Sequence, residues 1–251
     1  ASAVFEHIDR TIAGRDAHGE ANILDRLADF EFIRALPPAG YKKRGEVPGK
    51  DFFPYKPSAL SSFPPAWALA RIVNTVQKTL ESRKYVGAVW LEGSPHLEET
   101  LYWLNLLIDS DLPLAGVSSQ RAHGTLANDG DRNIVDAVGY VLSGTGQGLG
   151  AVGVVDQQLF AAREFKKGDA RPGGYKATGG HGGILGTVGP PATVWYSPNY
   201  YRMKTSQVNI NALSAEVEFA NFSSDGDTIK IQIKDENGML REDAMPKVHM
   251  V

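Results

Sequence analysis

The stretch from Tyr85 to Ala137 constrains the fold of this chain more than any other. It opens with the apolar run Tyr85-Val86-Gly87-Ala88-Val89-Trp90-Leu91 and turns through Glu92-Gly93-Ser94-Pro95-His96. An amphipathic segment follows from Leu97 to Ile108, then a second apolar run from Leu112 to Val117 that ends in Ser118-Ser119-Gln120-Arg121. Asp129-Gly130-Asp131-Arg132-Asn133 leads into another helical pattern. Short apolar runs bounded by turn residues read as buried strands, and amphipathic runs as helices. The order strand, turn, helix, strand, loop, helix is a parallel βαβα unit. The expected fold class is therefore α/β, a mostly parallel doubly wound sheet with helices on both faces. Ligands bind such sheets at the carboxyl ends of the strands, where the Glu92–His96 turn and the Ser118–Arg121 loop both fall.

The rest of the chain supports this unit. Ile23, Leu24, Leu27, Phe30 and Ile33 recur at helical spacing until Leu36-Pro37-Pro38 stops the pattern. Lys42-Lys43-Arg44 sits in a Pro/Gly-rich connection and reads as a solvated loop. Ser61-Ser62-Phe63-Pro64-Pro65 has the cap and first-turn residues of a helix start. Trp67, Ala70, Val73, Val76 and Leu80 then predict a packed helix face. Gly144-Thr145-Gly146-Gln147-Gly148-Leu149-Gly150 leaves the helix Ile134 to Leu142 and enters the strand Ala151 to Val155. Phosphate loops run the other way, from strand to helix, so this reads as a helix C-cap and connection. Glu216 to Phe219 and Ile229 to Ile233 alternate like half-exposed strands, and Asn237-Gly238 marks a turn.

Composition narrows the chemistry. The net charge is −3, so neither a nucleic-acid partner nor a basic membrane surface is expected. There is no cysteine, which removes disulfides, thiolate metal sites and a Cys nucleophile. The six histidines show no paired metal-ligand spacing, so no metal and no cofactor are expected. No run approaches the roughly 18 apolar residues of a membrane span, and a cytoplasmic setting is the expectation, a secreted or periplasmic mature form being the alternative. Asn221-Phe222-Ser223 is a glycosylation triplet of a kind common by chance.

Several segments resemble, in order and spacing, motifs of the bacterial-type L-asparaginases and their glutaminase relatives. Glu92 to Thr100 resembles H-G-T-D-T-x-E-E-T, Pro113 to Arg121 resembles P-V-V-x-x-G-A-x-R, and Ala127 to Ala137 resembles S-A-D-G-x-x-N-x-x-x-A. Asp156 to Lys167 resembles N-D-x-x-x-x-A-R-x-x-x-K, and Ala177 to Val188 resembles F-x-S-x-x-x-G-P-L-G-x-V; both serve mainly structure in this reading. The ending Met245 to Val251 resembles L-P-K-V-D-I-V, the phrase that begins the family's smaller C-terminal domain. The resemblance implies an asparaginase-like N-terminal α/β domain over 1–205 and a linker with a β-hairpin over 206–251, leading to a C-terminal domain absent from this chain. It also implies a homo- or hetero-oligomer, with a second chain as one source of that domain.

The resemblance further implies hydrolysis of a C–N amide bond in a small molecule. The family uses two threonines, the second in a Thr-Asp-Lys cluster. Thr11-Ile12-Ala13 resembles the end of the first motif, G-G-T-I-A, with Asp9-Arg10 in place of the glycines; the other reading puts Thr11 in an unrelated helix or loop. Ser94 stands at the second threonine and Pro95 at the aspartate. Counting back from the next strand, the lysine falls near Gly144, and no lysine lies between Lys84 and Lys166. The expected catalytic set is thus Thr11 or Ser94 as nucleophile, with His96 or Glu92 handling the proton. The competing reading makes Glu92, Ser94 and His96 a polar turn capping the next helix, whose first turn carries Glu98 and Glu99. Substrate contacts are expected from Ser61, Ser62, Gly93, Ser118 and Ser119. Pro95 removes a carboxylate that holds the substrate α-ammonium in the family, which favours a less charged amide, a lactam or a hydrazide. A non-catalytic subunit that assembles with or regulates an active partner is the alternative function.

Overall fold

Each strong apolar pattern folds as its period dictates. The computed structural model describes residues 66–121, 127–179, 183–189, 192–195, 208–220 and 228–245. In chain order these form α1 (Ala66–Glu81), β1 (Ala88–Leu91), α2 (Leu97–Leu107), β2 (Leu114–Val117), α3 (Gly130–Leu142) and β3 (Ala151–Val155). They continue with β4 (Gln158–Ala161), β5 (Phe165–Lys167), β6 (Tyr175–Ala177), β7 (Ile184–Thr187), β8 (Thr193–Val194), β9 (Glu216–Ala220) and β10 (Thr228–Gln232).

The main sheet runs β1-β2-β3-β4-β7-β8. β1, β2 and β3 pair in parallel, with Leu91 beside Val117 at the carboxyl end. The next three pairings are antiparallel. The reversal comes at Asp156 and Gln157, whose left-handed φ values of 52° and 61° suit the tight hairpin turn that matches sheet twist. β7 returns to the direction of β1, β2 and β3, so the expected mostly parallel sheet is present. β5 pairs with β6, and β9 with β10, as separate antiparallel hairpins.

Strand side chains alternate between two cores, as a period of two requires. Leu114, Ala151 and Val155 pack with Ile72 of α1 and Leu97, Leu101 and Leu104 of α2. Ala115, Val117, Val152 and Val154 pack with Ala137, Tyr140 and Val141 of α3. The helices therefore cover both faces. Two glycines set how closely the first face closes. A Cβ on Gly116 would lie 2.5 Å from Leu101 Cδ1, and one on Gly153 would lie 3.0 Å from the Phe165 ring. Without side chains there, α2 and the β5–β6 hairpin come down onto the sheet.

The glycine-rich run is the α3 exit, as expected. Ser143 is the C-cap and Gly144 follows at φ 72°. α1 is tied to the later chain by the two-pronged Arg71–Glu242 pair, at 2.7 and 2.8 Å, and by reciprocal Asn74–Leu240 bonds. Trp67 departs from its expected place in the packed face: it is 42% exposed, with the Arg71 guanidinium 5.1 Å over its ring. Steps of three residues drift by about 60° around a helix of 3.6 residues per turn, so a run begun at Trp67 starts on the far side from Val76. No described helix is long and apolar enough to cross a membrane.

Candidate active site

The β1–α2 turn is built first by backbone geometry. Glu92 N–H donates to Val117 O at 3.2 Å, extending the β1–β2 ladder by one residue. His96 takes the N-cap position of α2, and its carbonyl accepts Thr100 N–H at 3.1 Å. The His96 side chain makes no cap bond. The Glu92 carboxylate accepts Trp90 Nε1–H at 2.9 Å and Thr100 Oγ1–H at 3.0 Å. It braces the end of β1 against α2 instead of capping backbone amides. Burial pushes this carboxyl up to about 7; the Trp90 and Thr100 bonds pull it down, and nearby Glu99 adds to the rise.

Ser94 does not cap the helix as the polar-turn reading expects. Its Oγ accepts a hydrogen bond from Lys167 Nζ at 2.9 Å. This corrects the expectation that the chain lacks a lysine at the site. The cation arrives from β5 and not from the end of α3, because the β5–β6 hairpin folds back over the strand ends. Lys167 is anchored there by its own backbone N–H, which donates to the Glu98 carboxylate in the first turn of α2. Counting along the chain could not show this approach. The available signal was the A-R-x-x-x-K match, whose last letter is Lys167.

A second cluster forms beside it at the end of β2. The buried hydroxyls of Ser118 and Tyr175 share a hydrogen bond of 2.6 Å. The Tyr175 ring stacks on Phe165 with centroids 4.6 Å apart. Burial pushes the Tyr175 hydroxyl up to about 12, against the Ser118 bond and with help from the negative Glu98, Asp129 and Asp156, so it stays protonated. Asn133 joins two strand ends: its Nδ2–H donates to Ser118 O at 2.9 Å and its Oδ1 accepts Asp156 N–H at 3.0 Å. The Asp129 carboxylate accepts the backbone N–H groups of Gln120 and Arg121. Ser119 lies over the start of α3, where a Cβ on Gly130 would sit 3.0 Å from its own.

Glu92, Gly93, Ser94, His96, Ser118 and Ser119 thus all lie at adjacent carboxyl ends of β1 and β2. Thr11, Ser61 and Ser62 lie outside the described residues. Lys167 and Tyr175 are the site residues that the sequence reading missed, and no sequence signal marks Tyr175. Among the described residues, no group of three or more His, Cys, Asp or Glu side chains is placed to hold a metal ion.

Fold and site together define an α/β protein with a hydroxyl–lysine pair at the carboxyl edge of its parallel strands. Residues 12–174 match the family model described as Asparaginase, N-terminal, and the chain belongs to the asparaginase family. It is 35% identical over 99 residues to an L-asparaginase of Bacillus licheniformis, a match covering 39% of this chain and 31% of that protein. It is 34% identical over 101 residues to a glutaminase-asparaginase of Acinetobacter glutaminasificans, covering 40% and 30%. The matched stretches thus span about a third of these curated relatives. A probable cytoplasmic L-asparaginase from Campylobacter jejuni shares the fold, with a TM-score of 0.63 at 18% identity over 83% of this chain and 55% of that one.

Proposed function

We propose that this chain carries the nucleophile of an amidohydrolase that cleaves a C–N amide bond. The observation that carries the reading is the 2.9 Å approach of Lys167 Nζ to Ser94 Oγ. A free hydroxyl is a weak nucleophile until a neighbour takes its proton. Lys167 in its neutral form accepts the Ser94 proton as Oγ attacks the amide carbon. It then returns that proton to the leaving nitrogen, which departs as ammonia or an amine. Water completes the cycle by hydrolysing the acyl-serine. His96, two residues from Ser94, is a second proton acceptor in this proposal, and Thr11 a second hydroxyl. Ser61, Ser62, Gly93 and Ser119 contact substrate. Ser118 and Glu92, whose side chains are engaged by Tyr175 and by Trp90 and Thr100, shape the site.

The exposed Pro95, where the resembling motif has an aspartate, favours an amide without a free α-ammonium, including lactams and hydrazides. The proposal includes an asparaginase-like domain over 1–205, a linker over 206–251, assembly as a homo- or hetero-oligomer, and a cytoplasmic setting. A second reading, a non-catalytic subunit of an active partner, is favoured by the same Pro95.

The test is ammonia or amine release from a panel of simple amides by the purified chain, with native mass spectrometry of the protein from its source. Ser94→Ala removes the attacking hydroxyl and should abolish acyl-serine turnover, and Lys167→Met should lower turnover by about 10²–10⁴-fold, the range for losing a positioned proton-transfer group, each with little change in melting temperature. Unaltered turnover in Ser94→Ala would overturn the reading. A chain that hydrolyses no amide but purifies with an active partner is the non-catalytic subunit.

A further inference from the structure

The β5–β6 hairpin has three residues in each strand and, among the described residues, no ladder to the main sheet. Hairpins of this kind are marginal on their own, yet this one presents Lys167. In its register Lys167 stands directly across from Tyr175, and directly opposed residues of an antiparallel pair project from the same face. The two side chains of this rung reach two neighbouring strand ends. Lys167 Nζ reaches Ser94, just beyond β1, and the Tyr175 hydroxyl reaches Ser118, just beyond β2. β1 and β2 are paired up to Leu91 and Val117. The hairpin's other ties are apolar, the Phe165 ring against Gly153 and 5.5 Å from the Phe160 ring with Phe165 and Tyr175 both buried in the first core, together with the Lys167 backbone bond to Glu98. Aromatic packing tolerates sliding, and the Glu98 bond holds the lysine's backbone but not its reach. The Ser118–Tyr175 bond is short, buried and directional.

We infer that the Ser118–Tyr175 hydrogen bond is the pin that sets the β5–β6 hairpin, and with it Lys167, against Ser94. Tyr175 and Ser118 are then positioning residues, and the inference rests on the reading of Ser94 and Lys167 as the reactive pair. Displacement of a catalytic group by a fraction of an ångström lowers turnover without touching substrate affinity.

The test uses the full chain with Tyr175→Phe, Ser118→Ala and the double variant, followed by steady-state kinetics, thermal melting and amide hydrogen exchange. Tyr175→Phe keeps the stack on Phe165 but leaves a buried serine hydroxyl without its partner, so melting falls. The double variant removes both partners and recovers most of that loss. Each of the three should lower kcat about tenfold with KM within about twofold. Exchange at the Lys167 and Tyr175 amides should rise about tenfold or more in all three. A bond that merely stabilises would return kcat together with melting temperature in the double variant, and that result overturns the inference. Unchanged exchange in the variants overturns it as well. If the unaltered chain hydrolyses no amide, the functional reading fails by itself, and exchange alone decides whether the pin exists.

Discussion

The two sides of the Ser94–Lys167 pair are built to different standards. Ser94 sits on the corner between β1 and α2, where the β1–β2 ladder, the Glu92 brace and the fully buried Leu97, Leu101 and Leu104 fix the backbone. Lys167 sits on a hairpin of two three-residue strands with no ladder to the main sheet among the described residues, held by the buried Phe165 and Tyr175 rings and a few hydrogen bonds. One partner is fixed by a ladder of the main sheet and the helix it enters, the other by two buried rings and a few side-chain bonds. The stability of the domain and the reactivity of the site should therefore separate under mutation.

Leu101→Ala should give the largest effect. Leu101 is fully buried and fills the space opposite Gly116, so its truncation should cost about 2–5 kcal/mol in denaturant unfolding. A loss below about 1 kcal/mol would mean that the corner is not held by the core. Glu92→Gln tests the brace. Burial raises the folded carboxyl from its ordinary 4.5 to about 7, so the folded state binds that proton more tightly than the unfolded state. The contribution to stability is fully present below about pH 4.5 and is lost as pH rises through about 7. Unfolding curves across that window should show a decline of roughly 1–3 kcal/mol from this group, which Glu92→Gln flattens. An equal decline in the variant would reassign the pH dependence to other groups. Phe165→Leu should have the smallest effect on stability, about 1 kcal/mol, by removing the stack on Tyr175 while keeping apolar volume. Its kcat should nevertheless fall more than that of Glu92→Gln. If Phe165→Leu instead destabilises the domain as much as Leu101→Ala, the hairpin rings carry as much of the core's stability as α2 does and the contrast fails.

The same contrast explains what the sequence disclosed. β1, α2, β2, α3 and β3 fall where their apolar periods place them, because a buried strand or helix face must be apolar along its whole length. The Ser94 and Ser118 turns were legible with them, since connections follow from the elements they join. β5 and β6 are too short for a period to register, and the three residues of β5, Phe165-Lys166-Lys167, close a motif match that reads as mainly structural. Lys167 therefore went unseen, although it closes a motif match, because its partner lies 73 positions away in sequence. The Ser118–Tyr175 bond spans 57 positions and was equally invisible. Trp67 failed for a local reason, a three-residue spacing carried over too many turns. The sequence marks Glu92 as a candidate proton handler, and only its two donors, Trp90 and Thr100, show that it braces the turn.

Gly116 and Gly153 carry a consequence for genetics. Neither belongs to the proposed reactive pair, yet one admits the helix behind Ser94 and the other admits the hairpin that bears Lys167. In a saturation library scored by survival on an amide as nitrogen source, both positions should register as intolerant as the reactive pair itself. Alanine at 153, where the clearance to the Phe165 ring is larger, should be tolerated better than alanine at 116. Such a map would outline the two approaches to the site by their shadows.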